Sequence, residues 1–125
     1  MAKILIVDDS GHSRRILRRI LDPEGHEITE AVDGESALEQ YFLDKPDLVL
    51  LDLVMKGMYG VDVLIRMRQM DAQARVIVIS ADIQRSTHTM VKEEGASAFI
   101  IKPFTPDQVI QAVNAALKGQ TYGIE

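Results

Sequence analysis

Acidic residues follow two of the most apolar segments of the chain. Asp8 and Asp9 come directly after the run Lys3–Val7, and Asp52 lies inside the eight-residue segment Leu48–Met55. A carboxylate in such a segment is costly to bury without a partner. The simplest role for Asp52 is to cap a neighbouring loop at the end of a strand, and the alternative is a role in chemistry.

Three carboxylates that meet at one place repel one another and raise each other's pKa unless a cation intervenes. Hard oxygen ligands with open coordination positions suit Mg²⁺, or the similar ion Mn²⁺. Lys102 would add a positive charge and Ser80 a hydroxyl group, because each follows a further apolar run. A metal, a lysine and a hydroxyl around a carboxylate form a site for a transferring phosphoryl group. Asp52 would be the nucleophile, and the product would be an aspartyl phosphate.

These side chains can meet only if the segments before them are strands of one parallel sheet. Apolar runs of strand length alternate with amphipathic stretches, and five such units predict an α/β fold with helices on both faces of the sheet. The predicted strands are residues 3–7, 26–31, 48–51, 75–79 and 98–101. Three predicted helices have clear apolar faces: Ile16, Leu17, Ile20 and Leu21 in the first, Ala37, Leu38, Tyr41 and Phe42 in the second, and Val109, Ile110, Val113, Ala116 and Leu117 in the fifth. The third helix is predicted over residues 61–70, and the fourth, which is polar, over residues 83–94. Asp33 and Thr105 are the expected N-caps of the second and fifth helices.

The polarity of each strand predicts its place in the sheet. Strands 1, 3 and 4 are continuously apolar, as central parallel strands are, whereas strand 2 alternates and belongs at an edge. This favours a doubly wound (βα)5 sheet with the flavodoxin-like order 2-1-3-4-5. Ligands of such sheets bind beyond the carboxyl ends of the strands, where the order reverses, which is here between strands 1 and 3.

Length and composition narrow the class of protein. The 125 residues fit one domain, with a core over about residues 3–118 and a polar, loose tail over 119–125. The absence of Cys excludes disulfides and thiolate metal sites and is compatible with the cytoplasm. A net charge of -5 argues against direct binding to nucleic acid, and no apolar run is long enough to insert into a membrane.

The motifs taken together resemble the response-regulator receiver family, and in particular its stand-alone, CheY-like members. The resemblance covers roughly residues 3–118. The matching residues are Asp8-Asp9 after strand 1, Asp52 after strand 3, Met55 and Gly60 in the next loop, Ser80-Ala81 after strand 4, and Lys102-Pro103-Phe104 after strand 5.

This resemblance implies a phosphoacceptor site. Asp52 would take its phosphoryl group from a phosphohistidine on a sensor histidine kinase or a histidine phosphotransfer protein. Asp9, Asp52 and the backbone carbonyl of Val54 would ligate Mg²⁺ directly, and Asp8 would act through a water. Lys102 would hold phosphoryl oxygens, and its bond to Pro103 matches a cis peptide of the family.

The resemblance also implies a switch. Ser80 would be drawn to the phosphoryl group, and Phe99 on strand 5 would move inward with it. The surface of helix 4, strand 5 and helix 5 would then contact an unidentified downstream protein. Val54 and Asp82 lie at positions that tune the lifetime of the phosphate in the family. Such a domain is not an enzyme for other substrates, since it catalyses only its own phosphoryl transfer and dephosphorylation.

Two residues depart from the family pattern, and several alternatives stay open. Lys56 stands where the family usually has Pro, and Tyr59 where it usually has an acid or Asn, which predicts a loop that is less restrained or differently packed than is typical. A small aspartate-nucleophile phosphotransferase would need an Asp-x-Asp motif and a capping insertion, and a flavodoxin-like cofactor carrier would need a Gly-rich phosphate loop. The chain could also be a receiver fragment of a longer regulator.

Four arginines on the first helix could dock an acidic kinase surface or form a solvated face; they are Arg14, Arg15, Arg18 and Arg19.

Overall fold

Five parallel strands alternate with five α-helices in the computed structural model, which describes residues 2–82 and 84–124. The elements are β1 (Lys3–Val7), α1 (Gly11–Leu21), β2 (Glu27–Ala31), α2 (Gly34–Asp44), β3 (Leu48–Asp52), α3 (Gly60–Met70), β4 (Val76–Ser80), α4 (Arg85–Glu93), β5 (Ala98–Ile101) and α5 (Pro106–Leu117). The sheet order β2-β1-β3-β4-β5 confirms the predicted fold. The predicted start of the fourth helix at residue 83 and the end of the tail at residue 125 lie outside the described residues.

The register of the sheet brings the strand ends to one edge. Val7 pairs with Leu51, and the next residue of β3, Asp52, pairs with Ile79. Ser80 in turn pairs with Ile101, the last residue of β5. Because all strands run parallel, the residues that follow β1, β3, β4 and β5 emerge at the same rim of the sheet.

Alternate residues of each central strand feed two separate cores. Leu5 and Val49 belong to the core beneath α2, α3 and α4, whereas Ile4 and Leu50 belong to the core beneath α1 and α5. Every residue of β3 and β4 is buried since helices cover both faces. This double cover is why these strands are apolar at successive positions, while β2, at the edge, is fully buried only at Ala31.

Short caps start the helices soon after the strands end. Ser10 accepts a bond from the Ser13 N–H at the start of α1, and Asp33 accepts one from the Ser36 N–H at the start of α2. Thr105 forms a full capping box at the start of α5. The predicted caps Asp33 and Thr105 are confirmed. Among the described residues, no helix has the length and apolar content needed to cross a bilayer.

The predicted apolar face of α2 is one residue too wide. Ala37 and Tyr41 are buried and Leu38 packs against the core, but Phe42 is 69% exposed. Tyr41 takes the inward position because its hydroxyl donates to Asp71 Oδ2 across 2.8 Å while its ring is covered. Phe42, one position further around the helix, then faces solvent.

The segment after α5 is docked on the sheet, contrary to the predicted loose tail. The Tyr122 N–H donates to the Ser97 carbonyl across 3.0 Å, and Tyr122 forms an isolated bridge with Ala98. Ile124 is only 4% exposed and packs in the same core as Phe99. The outer edge of β5 offers unpaired backbone groups, and this segment uses them.

Candidate functional site

Three carboxylates meet at the rim formed by β1 and β3. Asp8, Asp9 and Asp52 each place one carboxylate oxygen within 4.8 Å of the other two. Asp8 and Asp52 are 2% and 8% exposed, whereas Asp9 is exposed. The cluster is therefore closed at its base and open on the solvent side, where Asp9 lies.

The first carboxylate pair is held by backbone groups. Asp8 Oδ1 accepts from the Ser10 N–H at 2.9 Å, and the Asp8 N–H donates to the Ala31 carbonyl at 3.2 Å. Asp9 Oδ2 accepts from the Lys56 N–H at 3.3 Å. A proline at position 56 would have no N–H to donate, so the departure at Lys56 adds a bond between the loop and the cluster.

Burial dominates the electrostatics of Asp52. It raises the pKa of the Asp52 carboxyl above its ordinary value, and the neighbouring Asp8 charge acts in the same direction. A hydrogen bond from the Val54 N–H, 3.2 Å from Oδ1, and the Lys102 ammonium oppose this rise. Added positive charge at the cluster would therefore favour the ionised form of Asp52.

Lys102 bridges two of the three carboxylates. Its Nζ lies 3.4 Å from Asp8 Oδ2 and 3.4 Å from Asp52 Oδ2. Three carboxylates against one ammonium leave the cluster negative, and the donors are hard oxygens, partly open to solvent. This donor set fits a divalent cation such as Mg²⁺. The Lys102-Pro103 peptide is cis, as the resemblance implies.

Ser80 lies at the same rim and connects it to α4. Its side chain is fully buried, and its Oγ accepts from the Asp82 N–H at 3.1 Å. The Asp82 carboxylate accepts from the Gln84 N–H at 2.9 Å and from Thr87 Oγ at 2.8 Å. Both oxygens of Asp82 thus bind the start of α4, which the sequence analysis did not anticipate.

Phe99 lies inward and beneath α4. Its side chain is buried, and its ring centroid is 5.1 Å from that of His88, with the two planes tilted by 47°. Sequence reasoning missed this contact because His88 and Phe99 belong to different elements with no shared motif. The sequence offered one signal for this contact, the aromatic ring of His88 among the polar residues of α4.

Gly60 brings the start of α3 against the end of β3. A Cβ at this position would lie 2.4 Å from Leu53 Cα and 2.8 Å from the Asp52 carbonyl oxygen, so only glycine allows this approach. Val54, in the loop between them, is 63% exposed beside Asp52. The side chain of Val54 is therefore open to solvent two residues after Asp52.

Comparison with known proteins agrees with this geometry. Residues 4–114 match the family model for the response regulator receiver domain. The chain is 42% identical over 116 residues to the chemotaxis protein CheY of Bacillus subtilis, a match that spans 92% of this chain and 97% of that protein. It is 38% identical over 115 residues to the sporulation initiation phosphotransferase F of the same organism, spanning 92% of this chain and 93% of that one.

A solved structure of the same kind is similar throughout. The CheX-CheY-BeF3-Mg²⁺ complex of Borrelia burgdorferi matches with a TM-score of 0.85 and 37% sequence identity, over 89% of this chain and 85% of that chain. Residues 4–114, which the family model matches, contain the acidic cluster, Ser80 and Lys102.

Proposed function

Because the chain belongs to the response regulator receiver domain family, we propose that it is a signalling module switched by phosphorylation of Asp52. Receiver domains are phosphoacceptors and not true enzymes. The observation that supports Asp52 is its place at the base of the cluster, 3.4 Å from Lys102 and within 4.8 Å of two further carboxylates. Its carboxylate is the nucleophile, and the open side of the cluster admits the donor.

A divalent cation, Mg²⁺ or Mn²⁺, belongs to the proposed site. Asp9, Asp52 and the backbone carbonyl of Val54 would bind it directly, and Asp8 through a water. When bound, it supplies positive charge next to the phosphoryl oxygens. The Borrelia burgdorferi CheY complex contains Mg²⁺ together with BeF3, which supports the same pairing here.

The transfer itself needs few groups. An oxygen of Asp52 forms a bond to phosphorus while the bond between phosphorus and the donor's imidazole nitrogen breaks. The electron pair of that bond stays on the imidazole, which takes a proton from solvent. Lys102 Nζ and Ser80 Oγ lie at the same rim and would hold phosphoryl oxygens as negative charge shifts onto them.

The proposed donor is a sensor histidine kinase or a histidine phosphotransfer protein in the cytoplasm. The output is a protein contact through α4, β5 and α5, with Phe99 in the inward position that it has in this structure and no direct role for nucleic acid. In Borrelia burgdorferi a similar CheY forms a complex with CheX, so a partner protein of this kind is a reasonable model. The working unit is a single receiver domain, and within a longer regulator the same site would act in the same way.

Incubation with acetyl phosphate tests the proposal directly. The wild-type protein should gain one phosphoryl group in the presence of Mg²⁺ and none after chelation, as measured by mass spectrometry of the intact protein. Asp52→Asn should gain none, whereas the control Asp44→Asn, on the exposed end of α2, should behave as wild type. An alkali-labile phosphate on Asp52→Asn, or no uptake by the wild type, would contradict the proposal.

A further inference from the structure

A second basic side chain reaches the acidic cluster from α1. Arg14 Nη1 donates to the backbone carbonyl of Asp8 at 2.6 Å, and Arg14 Nε donates to Glu30 Oε1 at 2.7 Å. The Arg14 side chain is only 17% exposed. One guanidinium therefore links the end of β1 to an acid on β2. The link lies next to the rim of the sheet that carries the acidic cluster.

Glu30 gives this arginine a firm anchor. Burial alone would raise the pKa of the Glu30 carboxyl, but hydrogen bonds and charges from Arg14 and Arg18 outweigh it and keep that pKa below its usual range. Glu30 is thus ionised near neutral pH and can hold the planar guanidinium of Arg14 in one orientation.

Arg14 completes the set of bonds that immobilise Asp8. The N–H of Asp8 binds the Ala31 carbonyl, and its two carboxylate oxygens bind the Ser10 N–H and Lys102. The Asp8 carbonyl is the remaining polar group, and Arg14 binds it. This carbonyl belongs to the planar peptide that joins Asp8 to Asp9, so its direction sets where the Asp9 side chain begins.

We propose that Arg14 is a positioning residue of the metal site, acting through the Asp8 carbonyl to place Asp9. The proposal rests on the function proposed above, since it assumes that Asp9 binds a divalent cation. Asp9 is exposed and has few other restraints, so an untethered peptide would let its carboxylate move away from Asp8 and Asp52. Groups that orient metal ligands without touching the metal typically change affinity by about 10–100-fold.

Arg18 provides a matched control. It lies one turn further along α1 and also binds the Glu30 carboxylate, at 2.9 Å, but the backbone group that it binds is the Ile28 carbonyl, at 3.4 Å, and not the Asp8 carbonyl. Loss of Arg18 removes a positive charge and a bond to Glu30 while leaving the Asp8 peptide held. Arg14→Lys makes the opposite change, because it keeps the charge but cannot bind two acceptors in one plane.

Mg²⁺ titration of the metal-free proteins, followed by the backbone amide NMR shifts of residues 8–10 and 52–56, tests the role of Arg14. Arg14→Gln and Arg14→Lys should each weaken Mg²⁺ binding by about tenfold or more, and Arg18→Gln should bind within about twofold of wild type. Wild-type affinity in Arg14→Lys would overturn the proposal, and so would an equal loss in Arg18→Gln. If Arg14→Gln fails to fold, Arg14→Lys decides the question together with Glu30→Gln, which removes the negative charge that holds Arg14 and Arg18.

The titration contains no phosphodonor, so it separates the two proposals. A wild-type protein that binds Mg²⁺ but takes no phosphate from acetyl phosphate contradicts the proposed function and leaves the Arg14 comparison intact. Phosphorylated wild type with Arg14 variants that bind Mg²⁺ normally contradicts only the role of Arg14.

Discussion

At the scale of single residues, Lys102 is placed to change partners. Its Nζ is 3.4 Å from both Asp8 and Asp52, longer than the roughly 2.7–2.9 Å of a strong charge-assisted hydrogen bond. The ammonium is thus shared between two carboxylates and held tightly by neither. In the proposed function it would turn to a phosphoryl oxygen on Asp52 without first breaking a short, directional bond.

Val54 is expected to control how long the phosphate lasts. Hydrolysis needs a water in line with phosphorus, and the branched, exposed side chain of Val54 next to Asp52 cannot hydrogen-bond such a water. Val54→Asn should speed dephosphorylation by about tenfold, or about 1.4 kcal/mol of barrier. The measurement is the decay of labelled phosphoprotein after removal of the donor, with Mg²⁺ in excess.

A substitution far from the site serves as the control for Val54. Leu43→Asn changes an equally exposed apolar side chain on α2 and should leave the decay unchanged. A Val54→Asn rate equal to or below that of wild type would point instead to Asp82 or to the Lys56 loop as the group that governs the water.

At the scale of elements, α4 is attached to the sheet by few contacts. Thr87 and Val91 are its buried residues, and its N-cap Gln84 makes no side-chain cap bond. The Asp82 carboxylate instead holds the start of the helix by accepting from the Gln84 N–H and from Thr87 Oγ. Since Ser80 Oγ accepts from the Asp82 N–H, a displacement of Ser80 would also displace Asp82 and the start of α4.

Removing the Thr87 hydroxyl should loosen the start of α4. Thr87→Val keeps the shape of a buried side chain but leaves one Asp82 oxygen without its donor, at a cost of about 1 kcal/mol. Amide hydrogen exchange of residues 85–89 should become faster, while the central strands keep their protection. Ser86→Ala, at an exposed position on the same helix, is the control, and unchanged exchange in Thr87→Val would show that Asp82 does not hold α4.

At the scale of the whole molecule, Tyr122 and Ile124 extend the structure beyond α5, and Ile124 completes the core on the side of α4. Ile124 packs in the cluster that contains Phe99, and Tyr122 pairs with the outer edge of β5. The segment after α5 therefore covers the strand that bears Phe99. Any movement of that aromatic would therefore displace the docked segment as well as His88.

Truncating the Ile124 side chain measures this docking. Ile124→Ala should lower the free energy of unfolding by about 2 kcal/mol, the lower end of the range for a buried aliphatic side chain. Urea denaturation should show a lower midpoint with an unchanged slope. Ile101→Ala, on the exposed side of β5, should cost much less, and an Ile124→Ala midpoint equal to that of wild type would mean that the segment is loose after all.

The order of the strands and the rim of the sheet were predictable from local patterns. Continuous apolar runs are typical of strands covered on both faces, which favoured β1, β3 and β4 in the middle of the sheet and the more polar β2 at an edge. Parallel strands share their carboxyl ends, and this placed Asp8, Asp9, Asp52, Ser80 and Lys102 together before any distance was known. Caps such as Thr105 were also predictable, because each depends on residues three positions apart.

The contacts that hold and connect the site depend on distances between elements. Arg14 binds an acid on β2 and a carbonyl on β1, and His88 meets Phe99 across the gap between α4 and β5. Phe42 and Ile124 show that local sequence patterns do not settle burial. Phe42 was expected to face the core but is exposed, whereas Ile124 lies in a segment expected to be loose but is buried. Periodicity indicates which residues of a helix or strand can face inward, but the packing of neighbouring elements decides which of them do. The same packing brings polar groups that are distant in sequence within hydrogen-bonding range.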